Sequence, residues 1–247
     1  MHILRLPENH NGRDIVVGDI HGHFDEFEEL LQVTRFDTSR DRLLSVGDYI
    51  DRGPHSERAL EYLEQPWFYS VKGNHEAMLS AAQNFEPGIY ELWMRNGGEW
   101  AENVDEDVLD RLAEIYQQLP YVIEVPSRHG KVAIVHADIP EFAKWDDFVF
   151  DLEINNQDDK LLQTMLWSRS TYRRLRLTKL YPNCYPPPMV EGVHRIYLGH
   201  SIVAEPVEFG SFYFIDTGAY ANGQLTAVDI NSQEVYSIGV MNYAIGY

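Results

Sequence analysis

The stretch RLLSVGDYIDRG, residues 42–53, shows the pattern that organises this chain. Its first half is apolar and typical of a buried β-strand, and a glycine then ends the strand just before an aspartate. An apolar run followed directly by metal-ligand side chains recurs at DIVVGDIHG (14–22), FYSVKGNHE (68–76), VAIVHAD (132–138) and RIYLGH (195–200). Ligands of open α/β sheets bind beyond the strand ends, so we expect these five turns to meet at one place.

Composition and length limit the class of protein. The chain of 247 residues can bury a substantial core, and we predict a single domain over residues 1–247. A formal net charge of -19 argues against non-specific nucleic-acid binding and against docking on an anionic membrane surface. Cys184 is the only cysteine, residues 1–11 lack a signal-peptide core, and no run reaches the roughly 18 apolar residues of a membrane helix. We therefore expect a cytoplasmic protein, whose oligomeric state the sequence leaves open.

Strand-like and helix-like patterns alternate through the first half of the chain. Helices are predicted at 24–31, 56–63 and 76–82, with a fourth that opens at 105–107 and ends before Pro120. The last fifty residues are predicted to form an antiparallel set of strands at 212–215, 224–228 and 235–238. These patterns predict a mixed α/β fold in which two β-sheets pack together.

The polar side chains at the strand ends are candidate metal ligands. Asp48 is the best candidate for a carboxylate shared by two cations, and a pair of cations roughly 3.5–4 Å apart is used to hydrolyse phosphate esters. Nitrogen and oxygen ligands without thiolate favour manganese, iron or zinc over copper(I). Each residue alone is more often a turn, capping or core residue, but together the six favour a metal site: Asp19, His21, Asp48, Asn74, His136 and His200.

A basic, proline-rich segment spans residues 169–190. Five basic residues and no acid lie between Arg169 and Lys179, and a stiff Tyr-Pro-Pro-Pro run follows at 185–188. Two interpretations stay open: a solvated surface loop, or a basic flap beside an anion-binding cleft. In the second, Arg173 and Arg174 would contact the substrate.

The motifs resemble those of the phosphoprotein phosphatase family of metallophosphoesterases. That family has Asp-x-His-Gly, Gly-Asp-x-x-Asp-Arg-Gly, Gly-Asn-His-Glu, His-Ala or His-Gly, and Gly-His in this order. The chain is similar to the small bacterial and phage members of the bacteriophage lambda protein phosphatase type, through NGGEW (96–100), HAD (136–138), LWSR (166–169) and IDTGA (215–219). The resemblance covers roughly residues 12 to 230, is weakest between Tyr172 and Val193, and implies an α/β/β/α sandwich of two mixed sheets between helices.

The resemblance also implies a role for each matching residue. One metal ion would be held by Asp19, His21 and Asp48, and a second by Asp48, Asn74, His136 and His200. Asp51 and His75 would form a proton-donating pair, Arg52 and Arg169 would grip the phosphate, and manganese would be the metal. Glu76 could support the neighbouring ligands or be an ordinary first-turn helix acid, and the second role is favoured. Asp216 is predicted to be a turn residue.

These roles imply hydrolysis of phosphoserine and phosphothreonine in proteins or peptides, with phosphotyrosine left open. A hydroxide between the two metals would attack phosphorus in line with the ester oxygen, and His75 would protonate the leaving oxygen. A dinucleoside polyphosphate hydrolase of the same superfamily is the alternative enzyme, and the Asp51-Arg52-Gly53 run favours the phosphatase. A non-catalytic phosphopeptide-binding protein is the third hypothesis.

Overall fold

The chain forms two β-sheets flanked by helices in a computed structural model that describes residues 2–141, 144–155 and 158–240. Met1 and residues 241–247, the ends of the predicted domain, lie outside that description. The strands are β1 (Ile3–Arg5), β2 (Asp14–Val17), β3 (Arg42–Ser45), β4 (Phe68–Ser70), β5 (Val122–Ser127), β6 (Gly130–Val135), β7 (Arg195–Leu198), β8 (Val207–Phe209), β9 (Phe212–Phe214), β10 (Gln224–Asp229) and β11 (Val235–Gly239). The helices are α1 (Phe24–Val33), α2 (Ala59–Leu63), α3 (Asn74–Gln83), α4 (Ile89–Arg95), α5 (Glu106–Gln118), α6 (Trp145–Ile154), α7 (Asp159–Trp167) and α8 (Ser170–Leu180).

The two sheets have different strand orders, but each contains three neighbouring parallel strands. The five-stranded sheet has the order β11-β10-β2-β3-β4, in which β2, β3 and β4 are parallel. The six-stranded sheet has the order β1-β5-β6-β7-β9-β8, in which β6, β7 and β9 are parallel. Within each sheet the carboxyl ends of the parallel strands therefore lie along one edge.

Three buried apolar layers hold the sandwich together. Along β2, Ile15 and Val17 face the core beneath α1 to α5, whereas Val16 faces the second sheet. The layer between the sheets combines Val16 and Leu44 with Ile134 and other side chains of the six-stranded sheet. A third core lies between that sheet and helices α6 to α8. Strands buried on both faces explain why these segments read as continuous apolar runs, and the predicted two-sheet α/β/β/α class is confirmed.

The predicted antiparallel set of carboxyl-terminal strands is wrong in part. Strand β9 pairs in parallel with β7 in the six-stranded sheet, whereas β10 and β11 form a hairpin beside β2 in the other sheet. The connection at 216–223 contains a left-handed Gly218 and a short 3-10 helix, Ala219–Ala221, and it crosses from one sheet to the other. Turn residues mark where a strand ends, but they do not specify which sheet the next strand joins.

The four predicted helices are present in the structure with some changes in their bounds, whereas part of the predicted 169–190 loop is a helix. The 24–31 and 105–120 helices are present, the 76–82 helix begins earlier at Asn74, and the 56–63 helix is split by a 3-10 turn at Ser56–Arg58. The loop interpretation of the segment 169–190 is wrong for its first half, because Ser170–Leu180 form α8. Asp138 accepts hydrogen bonds from Thr171 N (2.9 Å) and Thr171 Oγ1 (2.8 Å) at the helix start, a cap supplied from far away in sequence. Among the described residues, none of the helices has both the length and the apolar character needed to cross a bilayer.

Candidate metal centre

The five predicted turns meet at one rim of the sandwich. In the five-stranded sheet, His21 N donates to Asp48 O at 3.0 Å, which joins the turns after β2 and β3. In the six-stranded sheet, Gly199 N donates to His136 O at 2.8 Å, which joins the turns after β6 and β7. The two sheets are then linked at the rim because His200 N donates to Asp19 Oδ2 at 2.9 Å.

One group of ligand atoms combines Asp48, His136 and His200. Their nearest ligand atoms all lie within 4.8 Å of one another, and the three residues are buried. Asp48 Oδ2 is 3.3 Å from His136 Nε2, and Asn74 Oδ1 is 3.0 Å from the same nitrogen. The structure therefore brings together all four residues that the sequence predicts for one of the two metal ions.

A second group, which also contains Asp48, differs from the predicted set. It consists of His21, Asp48 and His75, again within 4.8 Å. His21 Nε2 lies 3.9 Å from Asp48 Oδ2. Asp19, which the sequence predicts as the third ligand here, is outside this compact group, and its Oδ2 accepts the hydrogen bond from His200 N. Asp48 is common to both groups, as expected for a shared carboxylate.

Two histidine rings are oriented so that Nε2 can bind a cation. His21 Nδ1 is 2.8 Å from Ile50 O, and His136 Nδ1 is 2.8 Å from Val46 O. A carbonyl oxygen can only accept, so each Nδ1 carries the proton and Nε2 is the ring nitrogen that could bind a metal. This is the usual way in which a protein fixes the tautomer of a metal ligand.

Buried polar atoms without partners provide an independent test of whether the site fits cations. Among the described residues, eight buried side-chain polar atoms have no hydrogen-bond partner, and three of them belong to this site: Asp19 Oδ1, His75 Nε2 and His200 Nε2. Such atoms are rare in folded proteins because losing water without compensation costs free energy. Two of the three are predicted metal ligands, and the third belongs to the predicted proton donor. The donor set of carboxylate oxygens and imidazole nitrogens therefore fits divalent cations.

The charges at the rim point in the same direction. Burial raises the pKa of Asp19 well above its ordinary value, and the neighbouring Asp216 and Asp48 add to this rise. Burial raises the pKa of Asp216 to about 6, with a further contribution from Asp48. Burial and the nearby His136 lower the pKa of His200 to about 3, so that its ring is neutral. Clustered acids and a neutral imidazole are an environment that a divalent cation would stabilise.

The backbone at the site is strained. Non-glycine residues with positive φ are uncommon, yet five lie here: His21 (45°), Asp48 (51°), Asp51 (69°), Arg52 (69°) and His200 (62°). Each such residue costs roughly 1–3 kcal/mol and persists only where its surroundings force it, typically at functional sites.

Asp51 and His75 form a buried pair supported by two tryptophans. His75 Nδ1 lies 2.6 Å from Asp51 Oδ2, and both side chains are fully buried. Trp93 Nε1 donates to both Asp51 oxygens at 3.0 and 3.1 Å, and Trp100 Nε1 donates to Oδ1 at 2.6 Å. The carboxylate therefore accepts from two indoles as well as from the imidazole, and this fixes the direction of the His75 ring. No local sequence signal connects Trp93 with Asp51.

Two acids that sequence reasoning treated as ordinary belong to the site. Glu76 is fully buried and accepts hydrogen bonds from the backbone N–H groups of Asp48 (2.8 Å), Tyr49 (3.1 Å) and Gly73 (2.9 Å), so it holds the turn that presents Asp48. Burial raises the pKa of Glu76 to about 7, and Asp48 adds to this. Asp216 follows β9, which is parallel to β7, so the rule that located the other ligands would also have located Asp216.

The predicted phosphate-binding arginines contact different candidate ligands. Arg52 Nη1 is 3.0 Å from His21 Nε2, and its guanidinium stacks on the Tyr220 ring at 4.3 Å. A cation bound by His21 Nε2 requires Arg52 to give up that contact. Arg169 is exposed, and its Nη2 donates to His200 O at 3.2 Å.

Arg173 and Arg174 face different surroundings although they are adjacent on α8. Arg173 is exposed and lines a cavity between α8 and residues 202–207. Arg174 Nη1 lies 3.2 Å from Glu141 Oε1, and the side chain lines another cavity with Pro188 and Phe212.

The two-sheet sandwich and its paired His and Asp groups define a metallophosphoesterase. The family model of the calcineurin-like phosphoesterases matches residues 13–202, so the chain belongs to this family, whose members use a dimetal centre. The resemblance found in the motifs is thereby confirmed.

Relatives with assigned names include two kinds of hydrolase. The chain is 34% identical over 233 residues to the serine/threonine-protein phosphatase 1 of Salmonella typhimurium, covering 92% of this chain and 97% of that protein. It is 35% identical over 127 residues to the symmetrical bis(5'-nucleosyl)-tetraphosphatase of Methylococcus capsulatus, covering 50% of this chain and 42% of that protein. A crystal structure described provisionally as a diadenosine tetraphosphatase superposes with a TM-score of 0.68 at 24% identity over 98% of this chain and 99% of that one, which supports the fold alone.

Proposed function

We propose that the protein is a protein phosphatase that hydrolyses phosphoserine and phosphothreonine monoesters and depends on two divalent ions. The observation that carries the proposal is the buried Asp51–His75 pair, 2.6 Å apart, whose free Nε2 lies 3.9 Å from Asp48 Oδ2. A phosphate monoester needs a proton donor at its leaving oxygen, and this pair places one beside the candidate metal ligands. The relative that matches nearly the full chain is named a serine/threonine-protein phosphatase, whereas the named tetraphosphatase matches half of it.

Six residues form the proposed metal centre. Asp19, His21 and Asp48 would hold one ion, and Asp48, Asn74, His136 and His200 the other. We propose manganese, which the resemblance to the small bacterial and phage phosphatases implies; the donor set without thiolate is compatible with manganese, iron or zinc. Bound metal ions supply a nucleophilic water and neutralise charge on the phosphoryl oxygens.

The remaining residues bind the phosphate and move the proton. Arg52, beside His21, and Arg169, beside His200, would bind phosphoryl oxygens, because a planar guanidinium can donate to two oxygens at once. His75 would donate a proton from Nε2 to the leaving alkoxide. Its Nδ1–H bond to Asp51 orients the ring so that Nε2 faces the candidate metal ligands.

The dinucleoside polyphosphate hydrolase stays the second candidate, supported by the named tetraphosphatase relative. A panel of substrates distinguishes the two: a phosphoserine peptide, a phosphotyrosine peptide, an aryl phosphate and diadenosine tetraphosphate, each with manganese and with excess chelator. We expect chelator-sensitive release of phosphate with the highest kcat/KM on the phosphoserine peptide. A higher kcat/KM on diadenosine tetraphosphate would overturn the proposal, and no turnover of any substrate would favour the binding-protein hypothesis.

A further inference from the structure

A groove runs away from the candidate centre along α8. One wall is α8 itself, and the other is the segment 202–207, which begins two residues after His200. The groove has a volume of about 780 Å³ and is open to solvent. Arg169, which immediately precedes α8, donates to His200 O at 3.2 Å, so the groove opens directly beside the proposed phosphate-binding arginine.

The groove has an aliphatic floor and basic residues along its edge. Its floor contains Leu175 and Val203, both buried. Its basic residues are Arg173, Arg176 and Lys179, all exposed, and within the described ranges none of the three forms an ion pair with a carboxylate. The facing segment contributes one exposed acid, Glu205, so the basic side chains of the groove outnumber the acidic ones. Helix α8 contains no acidic residue, so its positive charge contrasts with the net charge of -19 of the whole chain.

The spacing of the basic residues along the groove suits an extended peptide. Arg173, Arg176 and Lys179 are three residues apart, so they lie on one side of the helix. The distance from Arg173 to Lys179 along the axis is roughly 9 Å, the length of about three residues of extended chain. Nucleobases prefer aromatic platforms, but the one aromatic residue among the described groove residues, Tyr172, packs its ring against Phe214 at 6.0 Å.

We propose that this groove binds the segment next to the phosphorylated residue of a protein substrate and selects segments that carry Asp or Glu among apolar residues. The inference rests on the proposed phosphatase function and specifies its substrate class. The basic residues of the groove would attract the acidic side chains, and its aliphatic floor would receive the apolar ones. Because the groove begins next to Arg169, the phosphorylated residue would lie at the candidate centre.

The test compares phosphoserine peptides that differ only in the flanking segment. The first pair differs at three to five positions on the amino-terminal side of the phosphoserine. One peptide carries Asp and Glu at these positions and the other carries Asn and Gln, and both have leucine between the varied residues. A second pair carries the same changes on the carboxyl-terminal side. For wild-type protein we expect a kcat/KM about three- to tenfold higher for the acidic member of one pair, the size that two exposed ion pairs provide. The preference should shrink as salt is raised, since exposed charges are screened.

The double variant Arg176→Ala/Lys179→Ala should lose the acidic preference, whereas Arg176→Lys/Lys179→Arg should keep it. Arg174→Ala is the matched control on the same helix, because Arg174 pairs with Glu141 and lines the other cavity. We expect this control to retain the acidic preference.

Three results would overturn the inference. If phosphopeptide turnover does not depend on the flanking charge, the proposed docking role of the groove is wrong, while the phosphatase proposal stands. A loss in the double variant that is equal for aryl phosphate and for the acidic peptide would show a general defect and not a docking role. Turnover of diadenosine tetraphosphate without turnover of any phosphopeptide would remove both the groove and the phosphatase proposal.

Discussion

At the residue scale, the candidate site depends on side chains that hold other side chains. Asp51 accepts hydrogen bonds from Trp93, Trp100 and His75, and Glu76 accepts from three backbone N–H groups around Asp48. These buried contacts explain how a strained backbone keeps one conformation. They also explain why substitutions outside the ligand set should affect the reaction.

Trp100→Phe should lower kcat about three- to thirtyfold, because removing one of the donors to Asp51 leaves the His75 ring less firmly oriented. The loss should be greater for phenyl phosphate than for nitrophenyl phosphate, since a poorer leaving group needs the proton more. Trp67→Phe, which makes the same indole-to-phenyl change at a half-buried tryptophan packed on Phe36, is the control. Equal losses on the two esters would contradict a role through His75.

Gly199→Ala should weaken metal binding about ten- to a hundredfold, because its Cβ would lie 2.0 Å from Asp19 Oδ1 and 2.6 Å from Val46 Cγ2. Metal content after dialysis measures the effect. Gly239→Ala is the matched control, since nothing lies within 4 Å of its added Cβ. Full metal content in Gly199→Ala would count against Asp19 as a ligand.

At the element scale, an ion pair fixes the entrance to β3. Asp41 is buried just before this strand and accepts hydrogen bonds from Arg13 N (2.8 Å), Arg13 Nη2 (2.6 Å) and Asp37 N (3.1 Å). Burial alone would raise the pKa of Asp41, but the hydrogen bonds from Arg13 and Asp37 outweigh it and lower that pKa below its ordinary 3.8.

A lowered folded-state pKa means that Asp41 stabilises the fold fully above pH 3.8 and that this contribution is lost as the pH falls through the folded value. Asp41→Asn should therefore reduce the free energy of unfolding by about 1–3 kcal/mol at pH 7, with the difference from wild type shrinking below pH 3.8. Denaturant unfolding at pH 7 and at pH 3 measures both values, and exposed Asp110→Asn on α5 serves as the control. A gap of constant size at the two pH values would contradict the assignment.

The elements differ in how far the sequence could predict them. The runs 42–46 and 195–198 were recognisable because strands buried on both faces are continuously apolar and end abruptly in glycine. Helix α8 was not, because its capping acid, Asp138, lies more than thirty residues earlier and its exposed face has no apolar period. For the same reason the partnership of Trp93 with Asp51, 42 residues apart, was beyond local pattern, whereas Asp216 could have been found by its place after β9.

At the scale of the whole molecule, the candidate ligands come from both sheets. Asp19, His21, Asp48 and Asn74 follow strands of the five-stranded sheet, and His136 and His200 follow strands of the six-stranded sheet. Cations bound among them would join the two halves of the sandwich at its rim. Metal binding should therefore stabilise the fold as a unit and not only the local turns.

Manganese at about one hundred times its dissociation constant should raise the melting temperature by roughly 5–10 °C relative to protein in excess chelator. Thermal unfolding monitored in each sheet separately, by Trp67 beside β4 and by Trp145 beside β6, would show whether both halves respond. A shift confined to one probe would contradict a site shared by the two sheets.

Anomalous diffraction at the manganese edge, from crystals grown with that ion, tests the proposed pair of metal sites. We expect two peaks, roughly 3.5–4 Å apart, that share the Asp48 carboxylate. One peak should lie near His21 and the other near His136 and His200. No peak at Asp48, or peaks bound only by surface carboxylates elsewhere, would contradict it.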